Sequence, residues 1–150
     1  YLSTIPEEKR KELIKNVIKI SRVFMANDWP IIIVQFIDCR QLLEDDATVQ
    51  EIQDILSYEK SILVTKNTCD GSTEILDAID LNKLPLDILI GGVYTDECVV
   101  MSIDGLIGKD KNITITVIEE LIWPNKNTLI IDDDHTDRIK INKQDNLVLT

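Results

Sequence analysis

The chain has 150 residues, 44% hydrophobic and 29% charged, a balance that fits one domain over 1–150 and excludes a fibrous or disordered segment. Sixteen basic against 27 acidic residues give a net charge of −11, which argues against nucleic acid or an anionic membrane surface as a partner. Three cysteines without a CxxC spacing exclude a disulfide framework and a zinc finger, and no basic-then-apolar leader opens the sequence. A cytoplasmic protein is expected.

Thr4-Ile5-Pro6-Glu7 has capping-box form, and Leu13, Ile14, Val17, Ile18 and Phe24 come after it at three- and four-residue steps. This predicts a helix over about 6–26 with one buried face, broken by Asn27-Asp28-Trp29-Pro30. Ile31 to Ile37 is an unbroken apolar run, the pattern of a parallel strand covered on both faces. Thr48 to Glu51 repeats the capping box, with Val49, Ile52, Ile55 and Leu56 on one helical face, and Ser61 to Thr65 gives the next strand. Glu74 to Ile79 reads as a short helix, Asp87 to Val93 as a buried strand, and Cys98 to Ile107 as a helix closed by Gly108. Ile113 to Ile118 is a β-branched strand, and Leu147 to Thr150 an edge strand. Strands alternating with helices predict an α/β fold of three layers, α/β/α, with an open parallel sheet covered on both faces.

In such folds ligands bind beyond the carboxyl ends of the strands. Asp38-Cys39-Arg40, Lys66 to Asp70, and Tyr94 to Cys98 are the segments just past three of the strands, so all three cysteines fall on that rim. Cys98 is the best nucleophile among them, because a helix that opened there would favour a thiolate through its unpaired N–H groups and positive dipole end. The bland alternative is a small apolar residue near a core. For Lys66 it is a solvated rim lysine.

Gly92-Val93-Tyr94-Thr95-Asp96-Glu97-Cys98-Val99 resembles the G-V-x-T-D-x-C-V signature of the isochorismatase-like cysteine hydrolases, the superfamily of nicotinamidase and N-carbamoylsarcosine amidohydrolase. The resemblance extends to Lys66, which ends a strand about 30 residues earlier. It reaches more weakly to His135 and to Leu147 to Thr150. It implies hydrolysis of an amide-type C–N bond of a small molecule through a thioester on Cys98, with Lys66 supporting charged states. It also implies a cis Val93–Tyr94 bond, with the N–H groups of Tyr94 and Cys98 as oxyanion donors, and assembly as a homo-oligomer.

The sequence departs from that pattern in three places. The family's base is an aspartate ending a first strand, and no such strand precedes the first helix here; the domain is expected to lack it. Thr128 to Asp134 reads as strand then acid, which makes Asp132 a possible substitute base, with Asp38 another. His135 is the only histidine, so an imidazole-rich zinc site is excluded; the acidic run 132–137 lacks EF-hand spacing, and no metal or cofactor is expected. Beyond Lys66 stands a threonine but no aromatic ring. Asp70, Asp96 and Glu97 disfavour an anionic substrate such as isochorismate. The alternative reading is an inactive relative serving as a structural or interaction subunit. A flavodoxin-like binding domain would share the fold class but leave the GVYTDECV run unexplained.

Overall fold

The computed structural model describes residues 5–37, 52, 54–131 and 133–143. Its contacts divide the chain into two units, Tyr1–Thr68 and Cys69–Thr150.

In the first unit, helix α1 spans Glu7–Ala26, with Pro6 at its N-cap and Ile20 and Ser21 buried. No side chain caps its start, and Thr4 of the expected capping box lies outside the described residues. Asn27-Asp28-Trp29 ends it by a Schellman motif. Asp28 takes the left-handed conformation, φ 59°, which lets its N–H reach the Met25 carbonyl at 3.1 Å and the Trp29 N–H reach that of Phe24 at 2.9 Å. The Trp29 ring then meets Phe24 edge to face at 5.2 Å, the apolar contact that accompanies such an end.

Strands β1 (Ile31–Phe36) and β2 (Ser61–Lys66) pair in parallel from Ile31 opposite Ser61 to Phe36 opposite Lys66. Lys60, just ahead of β2, donates to the Asp28 carboxylate and, at 3.1 Å, to the Asp28 carbonyl. The hydrogen bond to Asp28 holds the Lys60 amine above its ordinary range. A raised amine stabilises the fold below the unfolded value and stops doing so as pH rises through the folded one, so this tie persists at neutral pH. Of the helix expected over 48–56, one 3₁₀ turn at Asp54–Ser57 is described, with Ile55 buried. Residues 48–51 and 53 lie outside the described residues.

In the second unit, α2 runs Ser72–Asn82, longer at both ends than Glu74 to Ile79. Lys83, φ 52°, closes it as a second Schellman end, its N–H on Asp80 and that of Leu84 on Ile79 at 2.9 Å. β3 (Asp87–Val93) and β4 (Thr114–Trp123) pair in parallel, and β5 (Ile139–Asn142) adds to the far side of β4. Between them α3 covers Val100–Lys109. The core is built from α3 and β4: Ile103, Leu106, Val117 and Ile118 are fully buried.

Two sequence expectations are corrected at this level. α3 runs through Gly108 rather than stopping at it. Its end comes at Asp110, whose backbone is extended, and Arg138 caps it from across the chain, Nη1 donating to the Asp110 carbonyl at 3.0 Å and Nη2 to that of Ile107 at 2.9 Å. A long-range guanidinium satisfies the last carbonyls, so no left-handed glycine is needed. The strand read at Thr128 is a 3₁₀ turn at Lys126–Thr128, closed by the Asn125 carboxamide accepting from Asn127, and Leu129 to Ile131 join no sheet.

The described strands are all parallel, ordered β1-β2 in the first unit and β3-β4-β5 in the second, as the expected α/β fold with a parallel sheet requires. The expected strand at Leu147 lies outside the described residues. Among the described residues no helix is long and apolar enough to cross a membrane.

Arg138→Ala removes two charged hydrogen bonds to half-buried carbonyls and should lower stability by about 1.5–3 kcal/mol in denaturant titration, with Arg138→Lys recovering part of it. Lys83→Gly should raise stability by about 0.5–1 kcal/mol, since glycine takes the left-handed position without the steric cost of a Cβ.

Candidate functional site

Where β3 ends, the sheet is irregular. Between the pairs Ile90–Val117 and Gly92–Ile122, β3 has only Gly91, whereas β4 carries Ile118 to Leu121. This bulge brings Leu121 against Gly91 so closely that an added Cβ would stand 2.9 Å from the Leu121 carbonyl oxygen. Glycine at 91 is therefore required by β4, and the bulge re-aims the chain as it leaves β3.

The chain leaves β3 through a cis Val93–Tyr94 peptide and then enters a wide, π-type turn over Thr95–Val99. The Val99 N–H reaches back five residues to the Tyr94 carbonyl at 3.0 Å, and the Glu97 N–H reaches the same oxygen at 3.2 Å. Cys98 is held inside this turn, half-buried, with α3 beginning two residues later. The expectation that Cys98 opens a helix is thus corrected. The turn starts directly at the end of β3, leaving no loop before the helical path, and Asp96 and Glu97 occupy its first residues, exposed, where acidic side chains favour a helix start.

Beside the turn lie elements that sequence periodicity did not single out. The Tyr94 ring meets Trp123 at 5.4 Å and 65°, because the parallel register sets Trp123 opposite Val93. The turn Lys126–Thr128 packs next to Thr95–Val99 and is tied to β4 by Lys126 pairing with Glu119 at 2.7 Å. Only the register, a long-range property, brings these residues to the Cys98 turn.

A polar ladder supports α3 from the other flank. Ser102 Oγ accepts from the Gly71 N–H at 2.9 Å and donates to the Cys69 carbonyl at 3.5 Å. Lys109 donates to Ser72 Oγ and Thr73 Oγ1, both at 2.7 Å, and the Ser72 N–H is held by Asp70 at 2.8 Å. Ser72 is fully buried, and Gly105 presents only its Cα there: a Cβ would stand 2.8 Å from the Ser72 Cβ.

Thr95, one residue past the cis bond, is fully buried, and its hydroxyl finds no hydrogen-bond partner among the described residues. Buried hydroxyls are normally partnered, and an unpartnered one costs about 1–3 kcal/mol.

Lys66 is the last residue of β2 and only 7% exposed, which overturns the reading of it as a solvated rim lysine. It belongs to the first unit and Cys98 to the second. Asp38, Cys39 and Asp132 lie outside the described residues, as does the side chain of His135. Asp134 and Asp137 are exposed, and no cluster of three metal-ligating side chains occurs among the described residues.

No protein-family model matches the chain. No curated protein matches it in sequence. Solved structures do. The chain is similar to the nicotinamidase of Staphylococcus aureus, with a TM-score of 0.70 at 13% identity over 89% of this chain and 88% of that one. An isochorismatase-like hydrolase from Alkaliphilus metalliredigens superposes with a TM-score of 0.67 at 11% identity, over 94% and 87% of the two chains. The pyrazinamidase/nicotinamidase of Streptococcus mutans gives 0.66 at 13% identity, over 88% and 86%. At such identities the shared property is the path of the backbone, and on that ground the chain has the α/β fold of the isochorismatase-like hydrolases.

Proposed function

We propose that the chain is a cysteine-dependent hydrolase that cleaves the C–N bond of a small neutral amide. One observation carries the reading: Cys98 is held in a wide turn just beyond a strand's carboxyl end and just ahead of a helix, in a fold shared with nicotinamidases. Cys98 Sγ attacks the amide carbonyl, the amine departs with a proton, and water releases the acid from the thioester. The N–H groups of Tyr94 and Cys98 are the proposed donors to the oxyanion, and Lys66 the proposed charge that steadies anionic states. Asp132 and Asp38 are the proposed acceptors of the thiol proton.

The experiment is a comparison of alkylation rates and then an ammonia-release assay on small primary amides, nicotinamide included. Cys98 should react with iodoacetamide about tenfold or more faster than Cys39 or Cys69. Equal rates would sink the nucleophile and leave the alternative of an interaction subunit. On any amide that is turned over, Cys98→Ser should lower kcat by at least about a thousandfold, and Lys66→Met by about 10²–10³. Asp38→Asn and Asp132→Asn separate the two acids. The one that serves as base should cost about 10²–10⁴ in kcat and abolish the acidic limb of the pH–rate profile, while the other leaves both in place.

A further inference from the structure

Tyr94 sits where three structural demands meet. Its carbonyl accepts from the Val99 N–H at 3.0 Å and the Glu97 N–H at 3.2 Å, which closes the turn that holds Cys98. Its N–H follows Val93, the last residue of β3, and so stands at the rim where that strand ends. Its ring meets Trp123, with centroids 5.4 Å apart and planes at 65°. Both rings are half-buried, and neither belongs to the fully buried core around Ile103, Leu106, Val117 and Ile118.

Trp123 is held from two sides. As the last residue of β4 it lies opposite Val93 in the parallel register. Beyond it, the turn Lys126–Thr128 is closed by Asn125, whose side chain accepts from the Asn127 N–H at 2.9 Å and whose carbonyl accepts from the Thr128 hydroxyl at 2.8 Å. Lys126 ties that turn back to Glu119 of β4 at 2.7 Å. The indole is thus a fixed surface carried by β4, whereas among the described residues the pairing of β3 with β4 stops at Val93, one residue before Tyr94. An edge-to-face contact has a preferred geometry, so it restrains the Tyr94 side chain and the backbone that bears it.

We propose that Trp123 is a positioning residue for hydrolysis at Cys98, holding Tyr94 so that its N–H meets the oxyanion. The proposal rests on the reading of Cys98 as nucleophile and of the Tyr94 N–H as oxyanion donor. Trp123 touches Tyr94 and acts through it. An oxyanion donor works only at hydrogen-bond distance from the tetrahedral oxygen, and a misplacement of about 1 Å can cost about a hundredfold in rate. The thiolate alone makes no such demand, because displacement of iodide from iodoacetamide develops no charge on a carbonyl oxygen. Acyl transfer from an ester does: Sγ attacks the carbonyl carbon, the carbonyl oxygen becomes an oxyanion, and its collapse forms the thioester and expels the alcohol oxygen as an anion. Two reactions of the same sulfur therefore separate the thiol from its oxyanion donors.

The test uses the full chain and two probes, iodoacetamide and p-nitrophenyl acetate, with Cys98→Ala supplying the background of ester cleavage. In Trp123→Ala, Cys98-dependent release of p-nitrophenolate should fall about 10–100-fold, while alkylation of Cys98 stays within about twofold. Trp123→Phe keeps an aromatic partner for Tyr94 and should recover most of the loss. Tyr94→Leu keeps the N–H and loses the ring, so it should show the same selective fall, and adding Trp123→Ala to it should lower the rate no further. Should Trp123→Ala fail to fold, Trp123→Leu and Tyr94→Leu decide by the same pair of rates. On any amide that is turned over, the fall should lie in kcat rather than in KM. Equal falls with both probes would make Trp123 a structural residue only and overturn the proposal, as would unchanged ester cleavage in the Trp123 variants. Either result, with fast alkylation of Cys98 in the unaltered chain, leaves the hydrolase reading standing. In the unaltered chain, alkylation of Cys98 no faster than that of Cys39 or Cys69, or ester cleavage independent of Cys98, sinks the hydrolase reading and the role of Trp123 with it.

Discussion

The placement of α3 is the constraint on which the second unit depends. Its apolar face, Ile103, Leu106 and Ile107, is among the most deeply buried surface of the chain, and burial of each such side chain contributes about 1.5–3 kcal/mol. Apolar packing alone does not fix how far a helix slides along its axis. That is set by polar contacts of definite length: Ser102 on Gly71, Lys109 on Ser72 and Thr73, and Arg138 on the last carbonyls. Because the Cys98 turn runs directly into α3, the same contacts fix the height of the thiol above the end of β3.

Much of this fold was legible because local chemistry and global position agreed. The run Asn27-Asp28-Trp29-Pro30 ends a helix in the structure as it does on paper, through one left-handed residue and one aromatic contact. Four strands were found from their apolar runs, and their bounds moved by at most a few residues except at β4. β4 extends to Trp123 through two adjacent acids, Glu119 and Glu120, which break the apolar pattern; Glu119 is tolerated at the bulge with Lys126 as its partner. β5 was missed. Four residues alternating as Ile-Lys-Ile-Asn carry too little periodicity to separate a strand from a loop, and pairing with β4 decides the matter.

The site was legible to the same degree. A thiol between a strand and a helix could be inferred from GGVYTDECVV, since each flanking element announces itself by composition. The five-residue turn could not, because its closing bond from Val99 to Tyr94 depends on where the bulge of β4 lets β3 end. Trp123 and the Lys126 turn were invisible for a related reason: they reach the Cys98 turn by parallel register across some 25 to 30 residues of chain, and no local pattern encodes a register. The burial of Lys66 was hidden too, since a lysine ending a strand reads as solvated.

Two polar groups stand where stability alone would not place them. Lys66 is only 7% exposed, and a buried lysine needs polar compensation that a surface position would not demand. The Thr95 hydroxyl is as deeply buried, and among the described residues nothing accepts or donates to it. A valine would fill the same volume at Thr95 without an orphaned polar atom, so shape does not explain the choice. Thr95 adjoins the peptide that leads into the Cys98 turn, and Lys66 ends the strand whose rim leads to Cys69. Departures from local stability concentrate at functional sites, where a group is kept for what it does rather than for what it adds to folding. Within the second unit the Thr95 hydroxyl is thus an exception, one residue past the Val93–Tyr94 bond, whereas the helix ends and core of that unit obey the ordinary rules.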